Sequence, residues 1–165
     1  MWINQSLKTI KTLTIETTIK VYAYHELSTE ERKLTESALE ATYRSYAPYS
    51  NFHVGAAVLL ENDVIVTGTN QENVAYPSGL CAERTALFYA NSQYPDVPVK
   101  ALAIVARDAD GVAKRNIIAP CGACRQVMVE TEKRFGKPMR VLLCGAEEVY
   151  VAESASSLLP LTFDF

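Results

Sequence analysis

Long apolar runs and blocks of like charge are both missing from this sequence. Lys and Arg number 16 against 19 Asp and Glu, a net charge of −3. That balance argues against a protein that grips a phosphate backbone, so polymeric nucleic acid is not an expected partner. The first twenty residues, MWINQSLKTIKTLTIETTIK, are interrupted by Lys, Thr and Asn too often to hold the apolar core of a secretory signal. No later stretch is long enough to cross a bilayer, and the expected location is cytoplasmic, with no membrane partner. Repeats, low-complexity tracts and linkers are absent, so one domain over residues 1–165 is expected. A domain of this size buries roughly 70% of the surface its unfolded chain exposes and needs no disulfide staple. Cysteine is scarce, with four in the chain. In a reducing compartment these serve as metal ligands, catalytic groups or small buried side chains.

Local pattern supplies the elements. Leu13, Ile15, Ile19, Val21 and Ala23 alternate with polar residues at the period of a half-buried strand. Ser28 followed by Glu31 is a capping-box signature, and Leu34, Ala38, Leu39 and Ala41 continue at helical spacing, predicting a helix over about 29–46. Beyond Pro48, FHVGAAVLLENDVIVTGTNQEN reads as a hairpin turning at Glu61-Asn62-Asp63. Helices follow at about 81–91 and 121–135, with strands at 101–106 and 140–144, and then a Ser-rich turn leads to LLPLTF. Strands alternating with helices predict an α/β layered sheet.

The chemistry gathers at two helix starts. Cys81 sits two residues before Glu83 in PSGLCAERTAL, and Cys121 and Cys124 form a Cys-x-x-Cys pair in APCGACRQ. Backbone N–H groups at a helix N-terminus favour the thiolate, which is the form that binds zinc. Three protein ligands leave one tetrahedral position for water, as in a catalytic site. Positions i and i+2 do not share a helix face, so Glu83 is poorly placed as a fourth ligand but well placed to carry a proton. Spacing alone leaves open a structural zinc site closed by Cys144 or a histidine. Cys144, after the apolar run VLLC, reads most simply as a buried hydrophobe, and His25 and His53 as packing or surface residues.

Cys81-Ala82-Glu83 with Pro120-Cys121-Gly122-Ala123-Cys124 fits the three-cysteine variant of the zinc nucleobase deaminase pattern. The sequence further resembles the cytidine deaminase family of small homotetrameric enzymes, over most of residues 28–163. The resemblance is carried by YAPYSNFHVGAA, GTNQENVAYPSGLCAERTAL, PCGACRQ and LLPLTF. It implies a three-layer α-β-α sandwich on a central mixed sheet, with residues 1–27 as an N-terminal extension. It also implies a Zn2+ ion held by Cys81, Cys121 and Cys124, activating a water that attacks C4 of cytosine, with Glu83 as the proton shuttle.

Three thiolates around zinc leave a net charge of −1, which opposes ionisation of the water. Arg84 matches the family arginine that hydrogen-bonds ligand sulfurs and offsets this charge. By the same residue-by-residue match, Asn70 and Glu72 hold the ribose hydroxyls, Phe52 packs at the pyrimidine, and the backbone of Ala82 contacts the base. Tyr76 and Phe163 match aromatics contributed by neighbouring subunits, so the resemblance implies a homotetramer with shared active sites. The implied reaction is hydrolysis of cytidine and deoxycytidine to uridine, deoxyuridine and ammonia in pyrimidine salvage. Three other readings are a deaminase of a nucleoside analogue such as blasticidin, a non-enzymatic zinc module, and a single-stranded nucleic-acid editor that the negative charge disfavours.

Overall fold

The computed structural model describes residues 10–108, 111, 113, 114 and 116–163. Its elements run β1 (Lys20–Ala23), α1 (Thr29–Ala41), β2 (His53–Leu60), β3 (Ile65–Thr69), α2 (Ala82–Gln93), β4 (Val99–Arg107), α3 (Gly122–Phe135), β5 (Arg140–Cys144) and β6 (Glu148–Ala152). The strands form one sheet in the order β1-β6-β5-β4-β2-β3. Among the described strands, β4 and β5 pair in parallel, because α3 provides the crossover between them, and the other pairs are antiparallel.

The near-continuous burial of β2 and β4 follows from helices on both sheet faces. Alternate residues divide between two cores. Val54, Ala56, Val58, Leu102 and Ile104 pack with Ala86 and Leu87 of α2 and Met128 of α3. Ala57, Leu59, Ala101, Ala103 and Val105 pack with Leu34 and Ala38 of α1. These are the layers of the expected α-β-α sandwich. Among the described residues, no helix is long and apolar enough to cross a membrane.

Besides the end of α1, which stops at Ala41 rather than near residue 46 and passes into a 3-10 turn over Thr42–Arg44, two features differ from the sequence reading. The N-terminal alternation was expected to mark a strand from Leu13 onward, but only Lys20–Ala23 pairs, against β6. Residues 10–19 have no regular structure, and Ile10, Leu13 and Ile15 are exposed. Alternation marks a face that can be buried, but among the described residues no strand pairs with 10–19 to bury it. The first nine residues of the N-terminal extension lie outside the described ones. The second difference is β6, five residues long, which falls where no element was expected. It inserts between β1 and β5 and is fixed by pairing on both edges.

One glycine decides how closely α2 approaches the sheet. A Cβ on Gly68 of β3 would lie 2.3 Å from the Ala86 nitrogen and 2.7 Å from the Ala82 carbonyl oxygen, both backbone atoms of α2. Only a residue without a side chain lets that helix seat so low.

The start of α1 is fixed as its sequence predicts. Ser28 N–H donates to Glu31 Oε2 at 2.8 Å, and Glu31 N–H donates to Ser28 Oγ at 3.2 Å, a reciprocal capping box. Arg140 Nε, from β5, donates to the same carboxylate at 2.7 Å. Burial acts to raise the Glu31 pKa, but the Ser28 hydrogen bonds and the Arg140 charge outweigh it and hold the carboxyl below its ordinary value. A depressed folded pKa contributes stability above the unfolded value, about 4.3, and loses it as pH falls through the lower folded value. Glu31→Ala is therefore expected to cost about 1 kcal/mol at pH 7. Paired urea melts at pH 7 and pH 3 should show the gap between wild type and variant narrowing in acid.

Candidate metal centre

The convergence of the three thiols follows from strand direction. β3 and β4 each run antiparallel to β2, which lies between them, so they point the same way. α2 follows β3, and α3 follows β4. Both helices pack on the same sheet face, and both begin at the same sheet end. The start of β2 lies at that end too, because His53 pairs with Arg107. Phe52, before β2, and Asn70, after β3, therefore flank the helix starts.

Cys81 occupies the N-cap of α2, Cys121 the N-cap of α3, and Cys124 its first turn. Their sulfurs all lie within 4.8 Å of one another, and they form the one cluster of metal-ligating side chains found among the described residues. Cys121 and Cys124 Sγ are 3.5 Å apart. Sulfurs sharing a tetrahedral zinc at a Zn–S length of about 2.3 Å stand about 3.8 Å apart, so the trio fits such an ion. The Cys81 thiol is lowered to about 5, first by the hydrogen bond from Cys124 and also by Arg84, against the opposing pull of burial. Cys124 moves the other way, because it hydrogen-bonds that thiolate and is itself buried. Arg84 Nη2 donates to Cys81 Sγ at 3.6 Å, which is the contact expected of this arginine.

Cys144 belongs to the opposite core. It packs among the α1-facing residues, with its Sγ 3.8 Å from Thr35 Oγ1, and burial pushes its thiol up to about 12. The sheet separates it from the three converging thiols, so a four-cysteine site is ruled out. His53 likewise binds nothing in the cluster, and its Nδ1 lies 2.6 Å from Ser45 Oγ.

Two adjoining cavities open at this end of the sheet. The inner one, about 210 Å³, is lined by Phe52, Val54, Asn70, Ile118 and Ala119 together with Cys81, Ala82, Glu83 and Cys121. Glu83 is only 5% exposed, and burial raises its carboxyl above the usual range, with Cys81 adding to the effect. The outer cavity, about 430 Å³, shares Asn70 and Cys81 and adds Tyr49, Ser50, Glu72, Tyr76 and Arg84. Gln71, at the outer cavity, bridges to Tyr46 on one side and to Leu80 on the other.

The residues expected at the substrate have further duties. Asn70 Nδ2 donates to the Phe52 carbonyl at 2.8 Å, and Asn70 Oδ1 accepts Val54 N–H at 2.8 Å. One amide hydrogen of Asn70 is left for a ligand. Glu72 accepts Tyr49 N–H at 2.9 Å and the Ser50 hydroxyl, and these bonds hold its carboxyl below the usual range. Lys114 Nζ lies 5.1 Å from the centre of the Phe52 ring and 2.6 Å from Asp108 Oδ1.

Tyr76 stacks edge-on against Tyr49, with ring centres 6.5 Å apart, yet remains 76% exposed. Phe163 is 68% exposed and lines neither cavity of this chain. Its backbone is clamped from α3: Gln126 Nε2 donates to the Phe163 carbonyl at 3.0 Å, and Phe163 N–H donates to Gln126 Oε1 at 3.1 Å. Sequence reasoning passed over Ser50 and Gln126. Ser50 stands in a Pro-Tyr-Ser-Asn stretch that reads as turn composition, and Gln126 gives no local sign of its distant partner.

Residues 28–136 match the family described as the cytidine and deoxycytidylate deaminase zinc-binding region. The chain is 43% identical over 101 residues to a cytidine deaminase of Halalkalibacterium halodurans, covering 61% of this chain and 71% of that protein. It is 48% identical over 98 residues to one of Sporosarcina psychrophila, covering 59% and 67%. Its fold is similar to a crystal structure of cytidine deaminase from Burkholderia pseudomallei, with a TM-score of 0.65 and 42% identity over 79% of this chain and 97% of that one. A structure of the Mycobacterium tuberculosis cytidine deaminase gives a TM-score of 0.65 at 31% identity, covering 84% of this chain and 100% of that one.

The geometry separates the four cysteines by experiment. Cys121→Ser is expected to lose most bound zinc, whereas Cys144→Ser keeps the wild-type amount, as measured by metal analysis of the purified proteins. Arg84→Ala should fold, because its side chain spans no core layer, but retain zinc less well under competition with a chelator.

Proposed function

The chain belongs to the cytidine and deoxycytidylate deaminase family, and from that premise we propose how its own residues divide the work of the reaction. The protein is a zinc-dependent enzyme that hydrolyses cytidine to uridine and ammonia. Deoxycytidine is the second substrate, and both conversions serve pyrimidine salvage. The observation that carries the reading is one small cavity lined by Cys81, Cys121 and the buried carboxyl of Glu83.

Cys81, Cys121 and Cys124 hold the zinc, which when bound acts as a Lewis acid and makes water nucleophilic near neutral pH. In the net reaction water replaces the amine at C4, and protons must reach both ring N3 and the departing nitrogen. Glu83 carries them. Its burial favours the protonated carboxyl, so a proton taken up at this group can be handed on to the ring. Arg84, hydrogen-bonded to Cys81, draws charge from the thiolates. Phe52 walls the base, the Ala82 backbone contacts it, and Asn70 and Glu72 take the sugar hydroxyls.

Tyr76 and Phe163 serve the active sites of neighbouring copies in a homotetramer. Their exposure supports this role, as does the Gln126 clamp on the backbone of Phe163, which lines neither cavity of its own chain. Burying such rings against a partner would remove a large apolar area from water.

Ammonia release from cytidine, deoxycytidine and CMP, with zinc measured and size determined on the same samples, tests this reading. Wild type should turn over both nucleosides and elute as a tetramer. Glu83→Gln should retain zinc while losing about 10²-fold to 10⁴-fold in rate, the range typical of a general acid–base group. Zinc bound without turnover of either nucleoside would reject the assignment.

A further inference from the structure

The turn between Pro48 and Phe52 joins the sugar end of the site to the base end through one side chain. Glu72 Oε2 accepts the N–H groups of Tyr49 at 2.9 Å and Ser50 at 3.3 Å, and Glu72 Oε1 takes the Ser50 hydroxyl. Ser50 Oγ in turn accepts Phe52 N–H at 3.1 Å. A hydroxyl has one proton, and an ionised carboxylate can only accept, so the direction of the chain is fixed. It runs from Phe52 N–H to Ser50 Oγ, and from the Ser50 O–H to the Glu72 carboxylate.

The far side of Phe52 is held as well, by Asn70 on its carbonyl and by Lys114 over its ring. Asn51, between Ser50 and Phe52, has φ 53°. That left-handed conformation costs free energy for any residue but glycine, although Asn tolerates it better than most, so the turn keeps its shape through its anchors. Ser50 is the anchor that touches both ends.

We propose that Ser50 is a positioning residue that couples recognition of the sugar to placement of the base. This rests on the reading of Glu72 as a sugar ligand and Phe52 as the base wall. The Ser50 hydroxyl holds one carboxylate oxygen in place for a sugar hydroxyl. Through the same oxygen atom it fixes the main chain that aims the Phe52 ring into the inner cavity. A carboxylate drawn toward the sugar pulls on Ser50, and Ser50 pulls on Phe52. A residue with a merely local role in the turn would alter stability without linking the two ends.

The test compares cytidine with 2′,3′-dideoxycytidine, which keeps the base but offers Glu72 no hydroxyl. Wild type, Ser50→Ala, Ser50→Thr, Glu72→Gln and the Ser50→Ala/Glu72→Gln double variant are assayed on both, with zinc content and thermal unfolding measured alongside. Ser50→Ala should raise KM for cytidine about tenfold, with kcat changed by no more than about twofold and zinc unchanged. It should also raise KM for the dideoxynucleoside, because Phe52 loses its anchor, whereas Glu72→Gln should penalise cytidine more than the dideoxynucleoside. Ser50→Thr, which keeps the hydroxyl, should restore KM. In the double variant the cytidine penalty should fall short of the product of the single penalties. Wild-type KM values for Ser50→Ala on both substrates, or multiplicative penalties, would overturn the coupling while leaving a Glu72→Gln effect in place. Unchanged KM for cytidine in Glu72→Gln would overturn the sugar reading and the coupling together.

Discussion

Three thiols packed within 4.8 Å of one another repel as they ionise, and most of what surrounds them acts against that repulsion. Two helix N-termini supply partial positive charge, and Arg84 adds a full one beside Cys81. Zinc completes the compensation. The constraint reaches outward, because neither helix start can move without separating the three sulfurs that would hold the ion. Gly68, which brings α2 down onto β3, is part of the metal site in that sense although it touches no metal.

A second anchor holds α3 from its far end. The buried Glu132 carboxylate accepts Met139 N–H at 2.6 Å and Ala155 N–H at 2.8 Å, along with the hydroxyls of Ser154 and Ser156. A buried carboxylate is tolerable only when donors surround it, and here they come from the start of β5 and from the segment after β6. Arg125, next to Cys124, donates to the carbonyls of Pro120 and Leu158 at 2.8 Å each. The helix carrying two metal thiols is thus fixed to the C-terminal segment at both ends. That segment in turn carries Phe163, so the presentation of this ring depends on the same packing that holds the metal.

Much of this was legible in the sequence, for identifiable reasons. The capping box at Ser28 and Glu31 and the hairpin around Asn62 are local devices, and they appear where the residues predict them. The helix expected to reach about residue 46 ends as α-helix at Ala41, with one 3-10 turn over Thr42–Arg44 before Pro48. The long N-terminal strand and the unforeseen β6 are errors of one kind, since alternation describes a strand's faces but not whether a neighbouring strand exists. At the site, residue type and spacing singled out Cys81, Glu83, Cys121 and Cys124. Ser50 escaped because a serine in a turn looks alike whether or not a carboxylate waits 22 residues away.

Residue identity and short spacing already specify the chemical inventory: a thiol at each of two helix starts, a carboxylate and an arginine following one of them, and no charge bias toward a polymer. Folding does not alter those properties. Which of them meet depends on how the strands and helices are arranged in space. Because β2 lies antiparallel between β3 and β4, both following helices begin at one end of the sheet, which brings Cys81 to a pair 40 positions away in the chain. The same sheet puts Cys144 in the opposite core, where strand alternation leaves it no path to the other three.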